Sequence, residues 1–188
     1  MREKALFFKK DKLLSSFVYT KKDWDNIKID WLIPNDILAN ELTIVYAKKT
    51  MKNHFLNFLF SFVVKDRQDK TFYFMDLENS TRTIIENGFA DFTKNNANFK
   101  HLSKKKMSGK ENEIFDIILS FDKIELSSLV FIINKLDICD DKQKQIDRLD
   151  KLRDLGATII LVIDYKELDL NSLEYVPDVE ILEASKFF

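Results

Sequence analysis

The feature that most constrains this 188-residue chain is a rhythm of short, nearly unbroken apolar runs separated by longer stretches with helical periodicity. The runs are LTIVYA (42–47), TFYFMD (71–76), FKHLS (99–103), SLVFIIN (128–134), ATIILVID (157–164) and VEILEA (179–184). A strand with one wet face alternates apolar and polar residues. Most of these do not, so they read as strands covered on both faces, as in a parallel sheet. Helical stretches lie between them at 52–64, 80–92, 109–123 and 140–156. The third carries Ile114, Phe115, Ile117, Ile118 and Phe121 on one stripe, and the fourth Ile146, Leu149, Leu152 and Leu155. Ser80 is placed to cap the second and Gly156 to end the fourth. Strands alternating with helices of this length imply βαβ units with right-handed crossovers. The expected architecture is α/β, a three-layer α/β/α sandwich around a mostly parallel central sheet.

Residues 1–40 break the rhythm. WDNIKIDWLIPNDILANE (24–41) carries both tryptophans and one of the two prolines. It reads as a lead-in that packs on the sheet edge, with a short strand near ALFF (5–8), ahead of a domain at 41–188. The length suits a single globular unit.

Composition narrows the functional classes. With 45% apolar and 32% charged residues the chain is of the folded type, and seventeen phenylalanines point to a Phe-rich core. A net charge of −1 leaves no global electrostatic footprint for nucleic acid, only local basic groups. One group is Lys48, Lys49 and Lys52, beside an expected helix N-terminus that favours anions, with Asn53 adjoining. The other is Lys104, Lys105 and Lys106, next to His101. Both also read as solvated loops. Cys139 is alone, which fits a reducing compartment, and with two distant histidines it gives no zinc spacing. The N-terminal apolar stretch has four residues, too few for a signal-peptide core. The longest apolar stretch, 55–64, is about half a membrane span. A cytoplasmic protein without membrane contact is expected. No GxSxG, Cys/His or HExxH pattern is present.

Asp76, Asn134, Asp137 and Asp164 fall at or just beyond expected strand C-termini, the edge where open α/β sheets bind ligands. Acids there either hold Mg²⁺ or simply end strands, and no metal is assigned. NKLD (134–137) matches the guanine-reading NKxD pattern, but a GTP site also needs a phosphate loop. Phosphate loops need glycines for close backbone approach. This chain has three glycines, none of them in AKKTMKNH (47–54).

Three segments together resemble the RecA-like ATPase core, in particular its plasmid RepA-type and DnaB-type hexameric helicase branch. Trp31-Leu32-Ile33-Pro34 precedes the first core strand, with Asn35 where the motif has glycine. Asp76-Leu77-Glu78-Asn79-Ser80 follows the second strand, and LRDLGATIILV (152–162) enters a later one. The resemblance spans roughly 31–165. It implies a RecA-like fold, with Glu78 as the base that polarises an attacking water. It departs from the family in its chemistry. Aligned on the strand, Ala47 and Lys52 replace the P-loop glycines, Asn53 the lysine and His54 the hydroxyl. Deleting one residue restores Lys52 as the lysine but leaves Met51 for glycine and Asn53 for the hydroxyl. Asn134 replaces the Walker B aspartate. The expectation is a pseudo-ATPase without cofactor. It would act through a protein partner or as a homo-oligomer, in replication or maintenance of a mobile element. Two alternatives remain: a divergent ATPase holding Mg²⁺–ATP through Lys52 and using Glu78, and a nucleic-acid-binding accessory with 48–52 and 104–106 on one face and DNA as partner.

Overall fold

The computed structural model describes residues 29–135, 142–164 and 180–188, with backbone only at Lys49, Glu111, Asn112 and 142–145. The expected ALFF strand and Asp137 lie outside the described residues. A compact unit spans Trp31–Phe188. Residues 31–40 thus belong with the sheet, and the unit begins ten residues before the boundary expected at Glu41.

A six-stranded sheet is built from β3 (Leu42–Ala47), β4 (Thr71–Asp76), β5 (Phe99–Ser103), β6 (Leu129–Ile133), β7 (Thr158–Asp164) and β8 (Glu180–Glu183). Its order is β5-β4-β6-β7-β3-β8 and every pairing is parallel. All six expected runs are strands, within a residue or so at each end. Strand geometry sends successive side chains to opposite faces. Val45, Phe72, Phe74, Phe99, Val130, Ile132, Ile160 and Val162 therefore meet one helical layer, and Ile44, Met75, Phe131, Ile133, Ile159 and Leu161 the other. The result is the expected three-layer α/β/α sandwich.

The first layer holds α1 (Lys49–Phe58), α2 (Thr81–Glu86) and α3 (Phe89–Asn95). The second holds α4 (Lys104–Met107), α5 (Glu111–Leu119), α6 (Lys123–Ser127) and α7 (Lys142–Asp154). Two expected helices are broken. The 80–92 stretch divides at Gly88, whose φ of 73° is left-handed, so α3 starts afresh. The 109–123 stretch stops at Leu119, because Asp122 and Glu125 form a reciprocal capping box that starts α6. Ser80 does cap α2, accepting from Thr83 N at 3.2 Å. Gly156, with φ 97°, follows α7.

Helix α1 departs most from expectation. It starts at Lys49 rather than residue 52, and it continues through a π-helical turn (Leu59–Val63) into Val64–Asp66. Its inward residues are Lys52, Leu56, Phe60 and Val64, with Phe55, Leu59 and Val63. That spacing is a strict four. Four residues of α-helix overshoot a full turn by about 40°, so three such steps would drift the stripe by roughly 120°. The wide turn corrects the drift and keeps the stripe on the sheet. Phe62 is left 61% exposed and Phe58 half-buried, whereas Phe55 and Phe60 are buried.

Ahead of the sheet, β1 (Trp31–Ile33) and β2 (Ile37–Leu38) form an antiparallel hairpin. Asn35 turns it with φ 63°, the left-handed conformation that asparagine tolerates and that glycine would supply at this motif position. Leu32, Ile33 and Ile37 bury in the α1 layer, and Arg67 Nη1 donates to the Trp31 carbonyl at 2.7 Å. Lys186 Nζ pairs with Asp36 at 2.7 Å. The hairpin was not legible because WLIPNDIL has neither strand alternation nor a two-residue turn signal.

Candidate functional site

The register brings the ends of β3, β4, β6 and β7 to one edge. Ala47 lies opposite Asp164, Met75 opposite Ile133, and Asp76 opposite Ser103. Asp76 and Asn134 are fully buried there. On each strand the residues two back face the α1 layer, so Asp76, Asn134 and His101 all point to that layer.

Asp76 organises this edge. Its Oδ1 accepts from Asn134 Nδ2 at 2.6 Å, Asn79 N and Nδ2 at 3.0 Å each, and Glu78 N at 3.4 Å. Asn134 Oδ1 in turn accepts from Leu77 N at 2.8 Å. The segment after β4 is therefore pinned backbone group by backbone group. The second Asp76 oxygen faces His101 Nε2 at 3.4 Å. That separation suits electrostatic attraction, but the alignment is off that of a hydrogen bond, and both atoms lack a hydrogen-bond partner. His101 also stacks on Phe74, ring centroids 5.3 Å apart. Burial pushes the Asp76 carboxyl up. The His101 edge, the Asn79 backbone N–H and the Asn134 and Asn79 side chains outweigh it and hold the group below the usual carboxylate value.

Beside this network lies an ion pair. Lys52 belongs to the buried stripe of α1 and is 3% exposed, so its ammonium needs a partner inside. It donates to Glu78 Oε2 at 2.7 Å. Lys52, Asn53, Glu78, Asn79, Ser80 and Thr83 line a polar cavity of about 240 Å³. The structure thus brings together three of the sequence candidates, Lys52, Asn53 and Glu78.

Among the described side chains, the other candidates do not line that cavity. β3 ends at Ala47 and α1 starts at Lys49, so Lys48 alone joins them; it is exposed and extended, with φ −65° and ψ 149°. Most of AKKTMKNH is helix rather than loop. Lys49 opens that helix, and its side chain is outside the description. Lys104, Lys105 and Lys106 form the exposed turn α4 directly after β5. Asp164 ends β7. The role of His101 was missed because it was read with the lysine run. Its two-residue spacing from Phe99 on a strand is the signal that places it inward. Among the described residues no group of three or more His, Cys, Asp or Glu is arranged to hold a metal. No helix among them is long and apolar enough to cross a membrane.

No protein-family model matches this sequence, and no curated protein matches it. Similarity appears in solved structures. A KaiC-like protein from the hyperthermophilic archaeon Pyrococcus horikoshii aligns with TM-score 0.53 and 13% identity over 78% of this chain and 73% of that one. The flagellar accessory protein FlaH from Methanocaldococcus jannaschii gives 0.48 and 13% over 77% and 70%. A DnaB-like replicative helicase gives 0.43 and 12% over 66% of this chain and 39% of its own. At these identities the likeness concerns fold alone, and only the KaiC-like protein aligns with a TM-score above 0.5 among these three. The fold is RecA-like.

Proposed function

We propose that this chain is a RecA-like pseudo-ATPase, a domain that works through protein contacts and performs no nucleotide chemistry. Its partner is a related protein or a second copy, and its setting is replication or maintenance of a mobile element. The observation that carries the reading is that Lys52, the one lysine lining the cavity among the described residues, already has its anion in Glu78. A nucleotide phosphate would have to displace a hydrogen-bonded, part-exposed carboxylate from a buried ammonium.

The surroundings fit Mg²⁺–nucleotide poorly. A phosphate cradle needs several free N–H groups in a loop between strand and helix. Here the connection is Lys48 alone. A cation needs free oxygens. Asp76 Oδ1 is filled by N–H donors, Asn134 Oδ1 is engaged by Leu77, and the second Asp76 oxygen faces the His101 ring rather than the cavity-lining residues.

Thermal unfolding with millimolar Mg²⁺–ATP is the test. The expected result is an unchanged Tm. A ligand at a hundredfold excess over Kd stabilises by about 2.7 kcal/mol, which in a domain this size raises Tm by roughly 5–10 °C. A rise of that size would overturn the reading in favour of the divergent ATPase. In that case Lys52→Ala and Glu78→Ala would abolish ATP turnover.

A second reading is supported by a separate observation. The stretch 92–110 holds six lysines and no acid. Lys100, Lys104, Lys105, Lys106 and Lys110 are exposed and make no ion pair among the described residues. As a phosphate-contacting face, this group would bind a single-stranded oligonucleotide with steep salt dependence. The triple change K104E/K105E/K106E is then expected to raise Kd at least tenfold at low salt. Binding that is absent, or indifferent to salt and to the triple change, removes this reading.

A further inference from the structure

The helical layer away from Lys52 and Glu78 leaves a groove beside β5, the outermost strand at that end of the sheet. It consists of two adjoining hollows of about 200 and 230 Å³ that share Tyr73 and Phe121. Tyr73, Leu102 and Phe131 come from the sheet and Ile114, Ile117 and Phe121 from α5 and the turn after it. The apolar surface continues outward. Ile117 is 53% exposed and Ile124, three residues after Phe121, is 82% exposed. Contiguous apolar surface of this kind marks a place where something binds.

Charge says what kind of ligand fits. Lys100 stands opposite Tyr73 in the β4–β5 register and two residues before Leu102, so it shares their face of the sheet. Lys110 lies one turn before Ile114, whose N–H donates to the Lys110 carbonyl at 3.0 Å. Lys104, Lys105 and Lys106 form α4 between these two. All five lysines are exposed. Acids lie on the far rim. Glu113 and Asp116 are about 100° and 200° around α5 from Ile114. Glu125, in the second hollow, is turned to its capping box, where Oε2 accepts from Asp122 N at 2.9 Å. A complementary ligand is apolar at its centre and anionic along the β5 side.

We infer that this groove docks an acidic segment of a partner protein, which buries a Leu- or Phe-sized side chain over Tyr73 and sets carboxylates against the five lysines. The inference rests on the reading of this chain as a protein-contact domain and supplies the partner's chemistry. A single-stranded nucleic acid would satisfy the lysines but not the hollow. The ring N–H and C=O groups of a base would meet only the Tyr73 hydroxyl among the described lining side chains of the first hollow.

The test is fluorescence anisotropy of labelled peptides with the full chain and no nucleotide. The probe is GDEDLFEDEG, and its controls are GDEDAAEDEG and GKKKLFKKKG. The probe is expected to bind, and each control to bind roughly tenfold more weakly or worse. Ile117→Asp and the double change K100E/K110E alter exposed side chains, so both are expected to keep the wild-type unfolding curve. Each is expected to weaken the probe roughly tenfold or more. No binding at millimolar protein would overturn the inference. So would equal binding of the alanine control, which would leave the lysines acting alone on anions, or indifference to both variants. Self-association of the chain that I117D abolishes would assign the groove to a second copy and also overturn it. The Mg²⁺–ATP melting result stands apart: an unchanged Tm without peptide binding strikes the groove alone, and a raised Tm with peptide binding strikes the pseudo-ATPase reading alone.

Discussion

Asp76→Ala is expected to remove about 3–5 kcal/mol of folding stability, the cost of deleting one partner from a buried charged network. The carboxylate oxygen that would vanish takes donors from Asn134, Glu78 and Asn79, of which the Asn134 amide is fully buried. Each buried donor left alone costs about 1–3 kcal/mol, although repacking softens the sum. Asp76→Asn should be milder, about 1–3 kcal/mol, because an amide oxygen can still serve Asn134 and Asn79 while its NH₂ faces His101. Denaturant unfolding at neutral pH measures both. The pH dependence has a definite sign. The folded-state pKa of Asp76 lies below the usual carboxylate value. Its contribution is therefore present above the unfolded value and is lost as pH falls through the folded one. The wild type should weaken in acid more steeply than the alanine variant. Parallel acid limbs would show that Asp76 is not a stabilising anion.

Phe60→Ala is the second large effect, also about 3–5 kcal/mol. The ring lies in the wide turn of α1 and meets Phe74 at 5.0 Å, Phe89 at 5.1 Å, Phe92 at 5.5 Å and Phe99 at 4.8 Å between centroids. Truncation would open a cavity among rings on two strands and a neighbouring helix. Rigid rings collapse poorly into such a space, so the cavity term adds to the lost transfer energy. Phe60→Leu fills most of the volume and should cost less than half as much. Chemical unfolding again gives the number, and a loss under about 1 kcal/mol would mean that the four-residue stripe does not set the packing. Phe62→Ala, outward on the same turn, is the matched control and should change stability by no more than about 0.5 kcal/mol.

The strands were legible because burial on both faces writes itself into a sequence as an apolar run, and β3, β4 and β5 match their runs at both ends. Helix limits were less so. Gly88 is compatible with a helical pattern until its left-handed φ is known. Residues 49–51 were read as loop because the stretch was compared with a phosphate loop, yet nothing in KKTM opposes a helix. The site was half legible. Glu78 and Lys52 were each picked out, but their pairing joins residues 26 apart and only the fold brings it about. The contact of Asn134 with Asp76 spans 58 residues, and no local pattern encodes it. What the sequence did carry was the parity that faces both residues into the same layer.

The strand order has a consequence for how the chain is made. β3 is the first strand of the sheet to be synthesised, yet its two neighbours, β7 and β8, are the last. Leu42 pairs with Ile159 and Thr43 with Glu180. While the ribosome is still extending the chain, this largely apolar strand stays unpaired as β4, β5 and β6 assemble without it. Closure waits on contacts between residues far apart in sequence, which is the slow regime for folding and the one most exposed to misassembly. A nascent chain stalled before β7 would therefore present LTIVYA as a sticky edge, a natural target for chaperones.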